Sequence, residues 1–327
     1  MKVLIDSRWQ GNTGIGRLYQ EVMDRKPPEV LDKHIESNVS LGSIFSPWML
    51  AKSIRAADAD VFYSPSFMPP LYANIPFVIT IHDLMHLFYY STFHRLYYKR
   101  VIAPLAKRAK KIITVSHFSK QQLISLLGID EQRITVIYNG VDDSFRFNKM
   151  AYSLNRPYVL YVGNRRKNKN VPAMLTAFAQ AKIPQDVVFA LTGQPDEALV
   201  QQAKQLGIQE RIKFLGFISE EELPKLYKGA LATLYVSLME GFGLPILESM
   251  ASGTPVLTAN TSSLPEIAGT AALCVNPLSV PDITQGITRL VLDPELRQQY
   301  IAAGERRVLD FQWEQTAIQT WKTIIHA

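Results

Sequence analysis

Short apolar runs alternate with helical patterns along the whole chain. Runs of five or six positions rich in Val, Ile, Leu and aromatics fall at 2–6, 60–64, 76–81, 111–115 and 134–138. They recur at 157–162, 187–192, 211–215, 231–236, 255–259 and 271–275. These runs are almost continuously hydrophobic, the pattern of strands covered on both faces of a parallel sheet. Between them lie amphipathic stretches of helical period, among them 116–127, 171–181, 196–206 and 220–229. Strand–helix alternation of this kind predicts an α/β fold of two doubly wound, Rossmann-like parallel sheets. The pattern lapses at Asn148-Lys-Met-Ala-Tyr-Ser-Leu-Asn-Arg156, which sets an expected boundary between a first domain, 1–150, and a second, 151–310.

In open parallel sheets ligands bind beyond the carboxyl ends of the strands. The segments there carry the candidate chemistry. After the strand 231–236 the chain reads Ser-Leu-Met-Glu240-Gly-Phe-Gly-Leu-Pro245-Ile-Leu-Glu248, ending at Gly253. Pro245 suits a first helical position and Gly253 a C′ position, so a helix over 245–252 is expected. Its free N–H groups would follow a glycine-rich loop and attract a phosphate or diphosphate. Glu240 and Glu248 flank that anion site. Carboxylates there are poor phosphate ligands but good acceptors for sugar and ribose hydroxyls.

Gly163-Asn-Arg165-Arg166-Lys167-Asn-Lys169-Asn170 puts four cations in five residues after 157–162, enough to neutralise a diphosphate leaving group. Lys169 is the first choice for the phosphate, with Arg165 or Arg166 second. Gly11-Asn-Thr-Gly14-Ile-Gly16-Arg17 follows the first strand, where glycines permit close approach of backbone to a ligand. The spacing is not that of a dinucleotide fingerprint, and no acidic residue stands suitably downstream. His82-Asp83 ends the strand 76–81, so the imidazole is expected at a cleft. Asp58-Ala-Asp60 precedes a strand and sits at the wrong end for chemistry. Neither a metal-ligand cluster nor a Ser/His/Asp or Cys/His set stands out; Ser116 and Ser119 read as helix caps.

The 327 residues suit two domains of about 150 each. An apolar fraction of 47% with 20% charged residues excludes a disordered chain. No apolar run reaches the roughly 18 residues of a spanning helix, and the first residues lack a signal-peptide layout. Cys274 lies in an apolar run, as a buried inert thiol would. Together these features indicate the cytosol. The net charge of +6 belongs to residues 1–150, with 19 Lys/Arg against 13 Asp/Glu; the rest carries 16 of each. From Asp83 to Asp130 there is no carboxylate, while Arg95, Lys99, Arg100, Lys107, Arg108, Lys110, Lys111 and Lys120 accumulate beside Phe88, Tyr89, Tyr90, Phe93, Tyr97 and Tyr98. A helix over about 92–111 with such a face fits an anionic membrane surface through 88–111. Nucleic acid ranks below it, since no nucleic-acid module accompanies the patch.

These residues resemble the retaining glycosyltransferases of family 4, of GT-B architecture, over essentially the whole chain. Glu240…Glu248 matches the family's Glu-x7-Glu motif. Gly163…Lys169-Asn170, Ser219-Glu-Glu-Glu-Leu, Ser263-Leu-Pro-Glu266 and Phe311-Gln-Trp313 match as well. Gly14-Ile-Gly16-Arg17, Thr80-Ile-His82-Asp83, Val115-Ser116…Ser119 and Asn139-Gly-Val-Asp142 resemble the bacterial mannosyltransferases that build surface polysaccharides.

The resemblance implies two Rossmann-like domains facing across a cleft, with the last helix, within 311–327, crossing back to the first. It implies a nucleotide-sugar donor held mainly by 157–310, with no cofactor or metal. By position, Glu240 would bind donor-sugar hydroxyls and Glu248 the ribose. The amides of Phe242, Gly243 and Leu244 would meet sugar and phosphate, and Lys169 the diphosphate. Phe217 and Ile218 would line the base pocket, with Leu264 and Glu266 near the nucleotide. Gly14, Gly16 and His82 would face the reacting centre and a lipid-linked saccharide acceptor. GDP-mannose is the expected donor, a UDP- or dTDP-sugar the alternative, and the inner face of the cytoplasmic membrane the expected location. Where many members carry arginine before the Lys169 position, this chain has Asn168, so the second phosphate cation falls to Arg165 or Arg166. A phosphorylase of the same architecture would need a pyridoxal lysine, an epimerase a dinucleotide glycine pattern, and a sugar-binding protein an export signal. The chain offers none of these.

Overall fold

The computed structural model describes every residue except Asn12, Glu36 and Asn38. The chain divides into two compact units, 1–140 with 313–327, and 141–312. The division falls ahead of the 148–156 stretch. The reason is packing: Phe145, on the short helix Asp143–Phe147, meets the Tyr227 ring edge-on at 5.8 Å and so belongs with the second unit.

In the first unit six parallel strands form one sheet: β1 (Lys2–Ile5), β2 (Leu31–His34), β3 (Val61–Ser64), β4 (Phe77–Thr80), β5 (Lys111–Thr114) and β6 (Ile134–Val136). Their order is β2-β1-β3-β4-β5-β6. Side chains alternate across the sheet. Leu4, Phe62, Ile79 and Ile112 face one core with Leu50, Tyr98 and Ile102. Val3, Ile5, Val61, Tyr63 and Val78 face another with Leu18, Trp313 and Trp321. The last helix, Trp313–Ile325, is thus part of this unit, and the Trp321 indole N–H donates to the Val22 carbonyl at 2.7 Å.

The second unit repeats the plan with β7 (Tyr158–Tyr161), β8 (Val188–Leu191), β9 (Ile212–Phe214), β10 (Ala232–Tyr235), β11 (Val256–Ala259) and β12 (Leu273–Val275), in the order β12-β11-β10-β7-β8-β9. Strand order reverses between β7 and β10, the place where doubly wound sheets open a crevice for ligands. In the first sheet the reversal lies between β1 and β3.

Two features depart from the sequence pattern. β2, Leu-Asp-Lys-His, is an exposed edge strand that pairs with β1 through main chain alone, and its charges are those of a guarded sheet edge. The helix expected over 92–111 is shorter and irregular. Thr92–Tyr97 is α-helical, Tyr98–Ile102 forms a π-turn and Ala103–Ala106 ends the run. Pro104 has no N–H for the Arg100 carbonyl, so the turn ahead of it widens. Lys107 and Arg108 then turn the chain, because Lys111 must be extended to pair with Val78. Among the described residues no helix is long and apolar enough to cross a membrane.

Candidate functional site

The loops after β7 and β10 meet at the reversal point of the second sheet. Lys169 leaves a 3-10 turn, Lys167–Lys169, and Glu240 follows β10 by five residues. Lys169 Nζ lies 2.7 Å from Glu240 Oε1 and 3.0 Å from the Tyr235 hydroxyl, with both charged side chains nearly buried. The ammonium also stands 5.2 Å from the centre of the Tyr235 ring. Burial first, then the neighbouring Glu240 carboxylate, pushes the Tyr235 hydroxyl well above its ordinary pKa, so it stays protonated beside Glu240. Lys169 thus bridges the tyrosine and the glutamate.

Two asparagines hold the loop around it. Asn168 Nδ2 donates to the Met239 carbonyl at 3.1 Å, and the Leu238 N–H donates back to the Asn168 carbonyl at 2.7 Å. Asn170, in the left-handed region at φ 58°, donates to the carbonyls of Val236 and Pro277. Asn168 is therefore a brace under Glu240.

The helix opens at Leu244 and runs to Ala251, one residue ahead of expectation, with Gly243 as N-cap and Pro245 in the first turn. Pro245 has no N–H and the Ile246 N–H donates to the Gly243 carbonyl at 3.0 Å, so the Leu244 N–H is the one without an intrahelical acceptor at the positive end of the helix dipole. Gly243 sits at φ +122°, and a Cβ there would come 2.9 Å from Leu264 Cδ2. Leu264 is wholly buried beneath it and supports the loop from below. The Phe242 side chain turns inward against Phe311, with ring centres 6.0 Å apart, leaving its main chain to the loop. Ser263 Oγ donates to the carbonyls of Glu240 and Phe242, and Glu266 follows in the short helix Leu264–Ala268. Glu248, half-buried one turn into the helix, accepts from the Tyr227 hydroxyl at 2.8 Å.

Arg165 donates to the carbonyls of Thr192 and Gly193, at 2.8 and 3.4 Å, and to that of Gln194. It ties the β7 loop to the β8 loop, a commitment that argues against Arg165 as the second phosphate cation. Arg166 is exposed at the start of the turn that carries Lys169. Gly163 N–H donates to Thr192 Oγ1 at 3.2 Å. Phe217 is 88% exposed just after the Gly193–Gly216 bridge, and Ile218 beside it is half-buried.

In the first unit the Thr13 hydroxyl caps the helix Gly14–Asp24 by accepting from the Gly16 N–H. The glycines differ. Space beside Gly14 is open, but a Cβ on Gly16 would lie 1.8 Å from the Gly11 carbonyl oxygen, so Gly16 is glycine because its own chain crosses there. Asn12 of this loop lies outside the described residues. His82 ends the turn after β4, and its Nε2 donates to the Pro65 carbonyl at 2.9 Å. Burial lowers its pKa, keeping the ring neutral with the lone pair on Nδ1. Asp60 accepts from the Lys2 N–H and Asp58 from Lys2 Nζ, while Ser116 caps the helix His117–Leu127. Among the described residues no three His, Cys, Asp or Glu side chains gather as a metal site.

Residues 143–307 match the model of the group 1 glycosyl transferases, and residues 18–145 that of glycosyltransferase family 4. The chain belongs to this glycosyltransferase family. The enzyme is 29% identical over 295 residues to O-antigen chain mannosyltransferase B of Escherichia coli, covering 85% of this chain and 77% of that one. It is 30% identical over 240 residues to the O-antigen chain mannosyltransferase RfbU of Salmonella typhimurium, covering 72% and 66%. Its fold matches that of Anabaena HepE, solved in complex with UDP and glucose, over 100% of both chains with a TM-score of 0.81 at 20% identity. The two doubly wound units of the glycosyltransferase are those of a GT-B fold.

Sequence reasoning missed Tyr235 and Tyr227, the hydroxyls that hold Lys169 and Glu248. Both stand in apolar surroundings and read as core. For Tyr235 the signal was a hydroxyl at the carboxyl end of a strand next to the glutamate loop; Tyr227, inside the helix Leu223–Gly229, offered none.

Proposed function

We propose that this glycosyltransferase works with retention of configuration, moving mannose from GDP-mannose onto a lipid-linked saccharide in bacterial surface-polysaccharide synthesis. The observation that carries the donor half is the Lys169–Tyr235–Glu240 cluster beside the amino end of the helix Leu244–Ala251. A donor's diphosphate lies against Lys169, Arg166 and the helix-terminal Leu244 N–H, which stabilise it as it leaves. That cationic set meets the need often served by a divalent metal, so chelators leave the rate unchanged. Glu240 accepts hydrogen bonds from the sugar, Glu248 from the ribose, and the base stacks on Phe217 beside Ile218. Attack comes from the face the diphosphate leaves, through an oxocarbenium-like transition state, and a donor phosphate oxygen takes the acceptor's proton. Gly14, Gly16 and His82 serve the acceptor side. The similarity to two O-antigen mannosyltransferases supports mannose and the polysaccharide setting. The basic and aromatic residues within 88–111 support an anionic membrane surface as partner, and with it a peripheral place on the inner face of the cytoplasmic membrane.

UDP stays in the screen as the second donor class, since HepE of the same fold holds it. The test is a thermal-shift series with GDP-, UDP-, dTDP- and ADP-sugars, followed by transfer and determination of the product's anomeric configuration. Stabilisation by GDP-mannose and an α-linked product are expected. An inverted product, or no response to any nucleotide sugar, overturns the reading.

A further inference from the structure

The carboxylate-free stretch of the first unit has a second part. Residues 37–57 also contain no Asp or Glu. The helix Ser46–Ala56 within them sinks Met49, Leu50 and Ile54 into the same core as Tyr98, Ile102, Ala103 and Ala106. Helices that share a core face turn their other faces outward on one flank. The Tyr97 hydroxyl ties the segments together by donating to the Ile44 carbonyl at 3.4 Å. Large apolar side chains stand in water on both: Phe45 at 66% and Trp48 at 59% exposure, and Phe93 at 62% and Leu96 at 53%. Ile44 joins them at 52%. Arg95, Lys99 and Arg100 are exposed along the same helix, and Lys52 Nζ stands 5.8 Å from the centre of the Trp48 ring.

Single exposed apolar residues are ordinary, but several clustered among cations with no carboxylate are unfavourable in water. Both halves of that composition are matched by an anionic bilayer: lipid headgroups for the Lys and Arg, and the acyl boundary for Trp and Phe. We propose that Phe45 and Trp48 form a wedge that enters the bilayer, next to the basic helix that holds its surface. This rests on the membrane partner put forward above and deepens it. Attraction between charges alone is screened by salt, whereas an inserted wedge is not.

The test uses the full chain and vesicles of phosphatidylcholine with or without phosphatidylglycerol. Binding to the anionic vesicles is expected to persist at about 0.5 M salt, where the Debye length is about 4 Å. F45S/W48S is expected to lose at least tenfold in partitioning at that salt yet bind at low salt, and R95Q/K99Q/R100Q to lose the extra affinity that low salt gives while keeping the wild-type binding at about 0.5 M. Every substituted side chain is exposed, and unchanged melting of the variants checks their folding. Independently of any variant, brominated lipid should quench the tryptophan emission of the wild-type chain. Complete release by salt, or F45S/W48S binding like wild type, overturns the wedge and leaves the membrane partner standing. Failure of the wild-type chain to bind either vesicle overturns both. A dimer abolished by F45S/W48S, or nucleic-acid binding abolished by the charge variant, reassigns the surface and overturns the proposal.

Discussion

Replacing Lys169 by methionine separates the structural from the chemical work of the buried pair. The charges lie 2.7 Å apart with side chains 13% and 7% exposed, too deep for water to screen them fully. At an effective dielectric near 20 their gross attraction is about 6 kcal/mol, most of it offset by the desolvation of both. Losing one partner leaves the other buried and uncompensated, which typically costs 3–5 kcal/mol. About 3 kcal/mol, the lower end of that range, is expected for Lys169→Met, and a similar loss for Glu240→Gln. In K169M/E240Q no charge is stranded, and stability returns to within about 1 kcal/mol of wild type, giving a large coupling energy in the cycle. Activity behaves differently. Each single variant is expected to lose at least about 100-fold in transfer, or 2.7 kcal/mol, and the double variant regains none of it, because the diphosphate has still lost its cation. Denaturant unfolding and a transfer assay read the two quantities. Single variants that unfold like wild type and turn over normally would falsify the assignment of the pair, and a double variant that recovers turnover would refute the catalytic role of Lys169.

His82 sets an acid limb of stability. Burial depresses its folded pKa below the ordinary 6.5, so its contribution is complete above 6.5, declines as pH falls through that value, and levels off below the folded pKa. H82Q should show less of this decline than wild type in denaturant titrations across that range; identical limbs reject the buried-neutral assignment. Gly16→Ala should cost at least about 2 kcal/mol by overpacking against the Gly11 carbonyl, 1.8 Å from the added Cβ. A loss below about 0.5 kcal/mol by chemical denaturation would mean the crossing is not tight. Phe217→Ala should weaken nucleotide binding about tenfold through lost stacking while leaving the melting temperature alone, since the ring is 88% exposed. Unchanged nucleotide affinity in calorimetry removes Phe217 from the base pocket.

What the sequence discloses follows from where burial is complete. β1, β3, β4, β7, β8 and β10 lie covered on both faces, so each had to be written as an apolar run and could be read as one. β2 forms through hydrogen bonds to β1 and exposes its side chains, leaving no hydrophobic trace. The far end of the helix after Ser91 was illegible for another reason. Helical propensity continues past Ala106, but the pairing of Lys111 with Val78 fixes where extended chain must begin, and that is a tertiary demand. The site divides the same way. Lys169 and Glu240 are legible separately, as charged residues after apolar strands. Their union is not, because 71 positions separate them and only the order β10-β7 makes them neighbours. The same topology explains why Asn168 and Asn170 flank the lysine. A cation moved next to a carboxylate in a nearly dry crevice is stable only if the loop that carries the carboxylate cannot drift. The two amides fasten that loop at Val236 and Met239. An asparagine standing before the lysine therefore contributes rigidity: the position of Glu240 is held by bonds that no ligand needs to supply.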